Sequence, residues 1–238
     1  MTLLTICQNV ADAIPVTRPA AIIGSSDETA RLLLVLANQT GKALYERHDW
    51  ILMSKEHSFT TVADQEDYSL RSDYGRLSDK TVWDQDNFRQ MRGPLTPPQW
   101  QYQKNAIATQ PGILKRYRIR GVSGVKMFSI YPTPTDTDDC IWEYVSNNWC
   151  QSSAGAGQSA WAQDIDTGIV SEYLLELGLL WRALKRLGLD YADEKDEYNR
   201  QLDQAIARDG AAPEISITPA TDDFLLGPAN IPDTGYGI

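Results

Sequence analysis

The sequence predicts an α+β fold: a helical bundle formed by N- and C-terminal helices, with an inserted antiparallel β region and an extended C-terminal arm. Three observations carry that expectation. Apolar residues recur at three and four positions near both ends of the chain. Between residues 50 and 146 the period falls to two. Residues 210–238 hold four prolines and four glycines and lack a repeating period. The expected units are residues 1–49 with 167–209 as a helical domain, 50–166 as an aromatic-rich β domain, and 210–238 as the arm.

The first helix is read from Leu3, Ile6, Cys7, Val10 and Ile14, with Pro15 ending it. Ser25 and Glu28 have capping-box spacing, so a second helix is expected from Ser25 to about Arg47. Its middle, Leu32–Ala37, is apolar all round and is expected to be buried on several sides. Strands are expected at 51–53, 56–62, 68–70 and 76–83. Thr96 followed by Pro97 marks a short helix ending near Asn105. Residues 114–120 and 125–131 read as a hairpin, and 140–146 as a further strand paired with the preceding one. The small-residue run 151–158 reads as a loop. A helix over 168–187 should line one face with Tyr173, Leu177, Leu180, Leu184 and Leu187, widened by Leu174 and Trp181, and Gly188 should cap it. A last, highly charged helix should run from Asp190 to Arg208.

Composition narrows the function. The 238 residues carry 32 acidic and 22 basic groups, a formal charge of −10. That balance argues against a protein that wraps nucleic acid, because phosphate binding is driven by Lys and Arg. Cys7, Cys140 and Cys150 are too few and too scattered for a disulfide framework, and no Cys/His cluster suggests zinc. The N-terminus lacks the basic start of a signal peptide and no apolar run reaches membrane length, so a soluble protein of a reducing cytoplasm is expected. His48 and His57 have no metal-motif spacing, and neither GxSxG, GxxxxGK[ST] nor GxGxxG occurs. The pairs Asp138/Asp139, Asp164/Asp166 and Asp222/Asp223 read as solvated loop acids rather than catalytic pairs. No enzyme, cofactor or metal is expected.

The charge is placed in blocks. Residues 111–129 hold Lys115, Arg116, Arg118, Arg120 and Lys126 without an acid. Residues 130–166 hold six acids without a base, and 210–238 hold Glu214, Asp222, Asp223 and Asp233 without a base. Opposite blocks suit a subunit that meets copies of itself, and they equally suit solvated faces. The C-terminal arm also carries Ile215, Ile217, Phe224, Leu225, Leu226, Tyr236 and Ile238, more apolar groups than a bare linker holds.

One pattern of order and spacing resembles a known family. It runs from Ser25 through Ala30–Asn38 to Leu44–Trp50, then Phe59–Val62, Asp67–Leu70 and Arg76–Trp83. It continues through Trp100, Tyr117–Arg120, Ile130–Pro134, Trp142–Ser146 and the closing helices, covering about residues 2–209. This resembles the head-to-tail adaptors of tailed phages, including the tail tubular protein A group. Members often place Pro after the Tyr-x-Leu triplet, where this chain has Arg71.

The resemblance implies a virion structural protein at the head–tail junction, assembled in the host cytoplasm. Copies would form a ring, usually dodecameric, below the portal protein, joining capsid to tail and continuing the channel for genomic DNA, which passes without specific binding. The next tail component, a nozzle or tail tube, would sit beneath, and no membrane is involved. The seven apolar arm residues would reach the portal. Lys115, Arg116, Arg118 and Arg120 would pair with an acidic face of the neighbouring copy. Two other readings stand beside it: a different tail or baseplate ring protein, and a carbohydrate-binding or hydrolytic accessory protein built on the aromatic-rich segment.

Overall fold

The computed structural model describes residues 1–105 and 114–210. The chain opens with helices α1 (Leu3–Ala13) and α2 (Glu28–Arg47). Strands β1 (Ser54–Thr60), β2 (Asp67–Ser69), β3 (Tyr74–Leu77), β4 (Trp83–Asp84) and β5 (Arg89–Gln90) follow, then helix α3 (Pro97–Asn105). Next come β6 (Arg116–Val122), β7 (Val125–Tyr131), β8 (Asp139–Ser146), β9 (Cys150–Gln151), β10 (Gly157–Gln158) and β11 (Thr167–Gly168). Helices α4 (Glu172–Leu187) and α5 (Ala192–Arg208) close the described part.

Local chemistry sets the helix ends. The Thr2 side chain accepts from Thr5 N at 3.3 Å and starts α1. The cap of α2 is Asp27, which accepts from Ala30 N at 3.3 Å. Ser25 instead accepts from Asp27 N at 3.2 Å and shapes the turn before it, so the helix begins later than the capping-box spacing suggests. Gly188 ends α4 with φ 73°, the left-handed conformation that glycine adopts without strain. At the end of α2, Arg76 of β3 donates to the carbonyls of Tyr45 (3.1 Å) and His48 (2.8 Å) and pairs with Asp49. A cation there satisfies orphan carbonyls and complements the helix dipole.

The helical core is centred on α4, which packs against α1, α2 and α5. Small residues allow close approach. A Cβ at Gly178 would lie 2.5 Å from Thr40 Cγ2, and one at Gly41 would lie 2.2 Å from the Trp149 ring. That second contact matters for the architecture. Trp149 and Cys150 at β9, Trp161, and Val145 of β8 all belong to the same apolar core as the helices.

The expected helical bundle with an inserted β region is therefore corrected. The fold is mixed α+β, with five α-helices and three antiparallel sheets among the described residues, and strands dominate the middle of the chain. The helices do not close a core by themselves. The small sheet β10–β9–β11 completes it, and part of that sheet lies in the run read as a loop.

The larger sheet has the order β1–β8–β4–β5, with β3 also paired to β8. The other sheet is β2–β7–β6. Between them lies a second core of Tyr68, Val82, Met91, Tyr117, Phe128, Ile130, Cys140, Trp142 and Tyr144. Trp142 and Phe128 stack at 5.8 Å across it. Residues 51–53 form a 3₁₀ turn rather than a strand, and β8 pairs with β1, β3 and β4 rather than with β7.

Candidate interaction surfaces

Strand alternation sorts the predicted basic residues. Tyr117 faces the second core, while Arg116, Arg118 and Arg120 occupy the opposite face of β6. Helix α3 covers part of that face with Trp100, which is 1% exposed. The guanidinium of Arg120 lies 5.7 Å and the ammonium of Lys104 5.4 Å from its ring centroid.

Two of the four cations are ion-paired inside the chain. Arg120 pairs with Glu66 and Asp67, both at 2.9 Å, and donates to Ser129 Oγ at 2.8 Å. Burial would raise the Asp67 pKa, but the hydrogen bonds from Ser129 and Arg120 outweigh it and hold it below the usual carboxylate range. Lys115 bridges Asp84, at 2.7 Å, and Asp138. Burial opposes its charge, yet those two hydrogen bonds prevail and keep its pKa above the ordinary lysine value. Arg116 donates to Gln103 of α3. Arg118 is half-exposed and has no ion-pair partner among the described residues. Ile215, Ile217, Phe224, Leu225, Leu226, Tyr236 and Ile238 lie outside the described residues.

Acids read as solvated turn out to hold the fold. Asp164 accepts from the backbone of Ile22 (3.2 Å) and Ile23 (2.8 Å), tying the β10–β11 connection to the loop after α1. Asp166 is fully buried and accepts from Ala162 N (2.8 Å) and Gln163 N (2.7 Å). Such carboxylate-to-backbone bonds leave only a weak trace in sequence, since a loop acid facing water looks the same.

Two surface features escaped sequence reasoning. Phe88, in the turn between β4 and β5, is 87% exposed. A groove of about 700 Å³ lies on α2 beside Arg186 of α4, lined by Glu28, Arg31, Leu32, Val35, Leu36 and Gln39. Val35 is 54% exposed there, although the run around it looks like buried helix. The available signal was that run's excess: Leu32–Ala37 offers more apolar positions than one buried face needs.

The tryptophans do not form a sugar platform. Of the six between residues 50 and 161, Trp50, Trp100, Trp142, Trp149 and Trp161 are buried, and Trp83 alone is exposed. No group of His, Cys, Asp and Glu among the described residues could hold a metal ion, and no described helix is long and apolar enough to cross a membrane. What remains prominent are contact surfaces.

Compared with known proteins, the chain matches the family model described as SU10 adaptor protein across residues 1–221. The chain belongs to the SU10 adaptor protein family. No curated protein matches it. Membership makes the protein a phage adaptor, a virion component that works through contacts with other virion components. For an SU10-family adaptor, contact surfaces are the candidate functional sites.

Proposed function

We propose that this adaptor assembles as a dodecameric ring below the portal, joins the capsid to the tail and continues the DNA channel. The family match over residues 1–221 is the observation that carries the reading. In this scheme residues 1–49 and 167–209 form the ring body, residues 50–166 face the nozzle or tail tube, and residues 210–238 reach the portal. Ile215, Ile217, Phe224, Leu225, Leu226, Tyr236 and Ile238 would anchor that arm. Because Lys115 and Arg120 already have partners within the chain, the charge contact to a neighbour falls mainly to Arg116 and Arg118. Acidic groups at the lumen would repel phosphate and let DNA slide without being gripped.

Negative-stain microscopy of the purified protein, alone and with portal, tests this. Rings docked on the portal are expected, and a monomer indifferent to portal would overturn it. Deleting residues 211–238 should abolish portal binding and leave the thermal transition unchanged. Normal binding by the truncated chain would exclude the arm as the portal contact.

A further inference from the structure

The turn Gln85–Phe88 is built in a way that folding alone does not require. Phe88 is 87% exposed and has φ 52°, a left-handed conformation that Gly and Asn adopt and bulky residues avoid. Replacing it with either would relieve the backbone and remove exposed apolar surface. The turn is nevertheless rigidly held. The buried carboxylate of Asp84 accepts from Asn87 N and Asn87 Nδ2, both at 3.1 Å. Asn87 also donates to Asp138 at 3.2 Å, and Lys115 links Asp84 to Asp138. Phe88 N donates to Gln85 O at 3.2 Å. A strained, exposed aromatic on a fixed support fits a binding anchor, because pre-organisation lowers the ordering cost of association.

The flanking charges are exposed, and Asp86 accepts from Asp139 N at 2.8 Å. Asp86 and Arg89 have no ion-pair partner among the described residues. The groove on α2 carries the matching set. Its lining combines apolar Leu32, Val35 and Leu36 with charged Glu28, Arg31 and Arg186, the last three likewise without ion-pair partners among the described residues. Its volume of about 700 Å³ has room for an aromatic ring with neighbouring side chains.

We propose that Phe88 of one copy seats in the α2–α4 groove of the next, with Asp86 facing Arg31 and Arg186 and Arg89 facing Glu28. Apolar surface meets apolar surface, and each charge that lacks an ion-pair partner among the described residues meets its opposite. Knob and groove lie on different parts of the chain, so the contact is heterologous and repeats head to tail, the arrangement that closes into rings. This inference rests on the ring reading and names the surfaces that make it.

The native thiols permit a clean test. Cys7, Cys140 and Cys150 are free and buried, and burial pushes each pKa up to about 12, so they stay inert. The full-length double variant Phe88→Cys/Val35→Cys is assembled, oxidised and run without reductant. A ladder of covalently linked copies, absent from either single variant, is expected. Particles of ring mass without a ladder would overturn the inference and leave the ring reading standing. A wild type that stays monomeric by mass, with and without portal, would overturn both. Protection of Val35→Cys from thiol reagents only after portal is added would assign the groove to portal and overturn the proposal. Phe88→Gly should raise the monomer's melting temperature by about 2 °C and weaken self-association by about tenfold or more. Unchanged self-association would again overturn it.

Discussion

Asp73 illustrates how one carboxylate can fasten a sheet. It accepts from Lys55 Nζ at 2.7 Å, Tyr144 Oη at 2.8 Å and Ser146 Oγ at 3.0 Å, so it joins the start of β1 to the end of β8. Burial opposes its ionisation, but those three bonds and the Lys55 charge outweigh it and lower its pKa from 3.8 to about 2. The folded state therefore binds the proton less readily than the unfolded chain. The resulting stability is fully present above pH 3.8 and is lost as pH falls through about 2. Asp73→Asn should cost about 1–2 kcal/mol at pH 7, and the gap to wild type should close near pH 2. Urea titrations at both pH values check this; an equal gap at both would exclude Asp73 as an acid-sensitive tie. Residues of this kind were the least legible in the sequence. Asp73, Asp84, Asp164 and Asp166 look like ordinary loop acids until distant segments supply their donors.

Elements were legible where one face alone decides the pattern. Helices α1, α2, α3 and α5 lie close to where periodicity and Pro or Gly signals put them. Helix α4 was placed correctly, but its inward face only in part. Tyr173 is 50% and Leu187 40% exposed, whereas Leu174, Leu175, Gly178, Leu179 and Ala183 are buried beside Leu184. A helix packed by three others is apolar on several stripes, and spacing cannot choose among them. The partner of β8 was misread for a different reason. Strand β7 is central in its sheet, with β2 on one edge and β6 on the other, so it has no edge left for β8. Arg76 ties α2 to β3 by hydrogen bonds, beside the close approach of Tyr45 to Gly75. Arg76→Ala should destabilise the fold by about 1–3 kcal/mol and speed amide exchange in the last turn of α2. Unaltered exchange there would mean that the carbonyls of Tyr45 and His48 do not need the guanidinium.

At the scale of the whole molecule, two apolar cores share one strand. Cys140, Trp142 and Tyr144 of β8 enter the core between the sheets, while Val145, on the opposite face, enters the helical core. Unfolding should therefore be a single cooperative event. Trp142→Ala and Trp149→Ala, one in each core, should each cost about 3–5 kcal/mol and shift the same calorimetric transition. Two separable peaks would show that the cores melt independently. The sequence indicated helices at both ends and strands between, and the family resemblance in spacing agrees with the family match. It did not indicate that Trp149 and Trp161 leave the strand-rich segment to complete the helical core, because a buried tryptophan gives no sign of which core receives it.

The shared strand has a mechanical consequence. Antiparallel ladders carry their hydrogen bonds across the strand direction. A pull along β8 would load its pairings with β1, β3 and β4 together, in shear, instead of peeling them one by one. Tension applied to the sheets would reach the helical core through the packing of Val145. The strand makes the protein a strut, suited to a place where one body pulls on another.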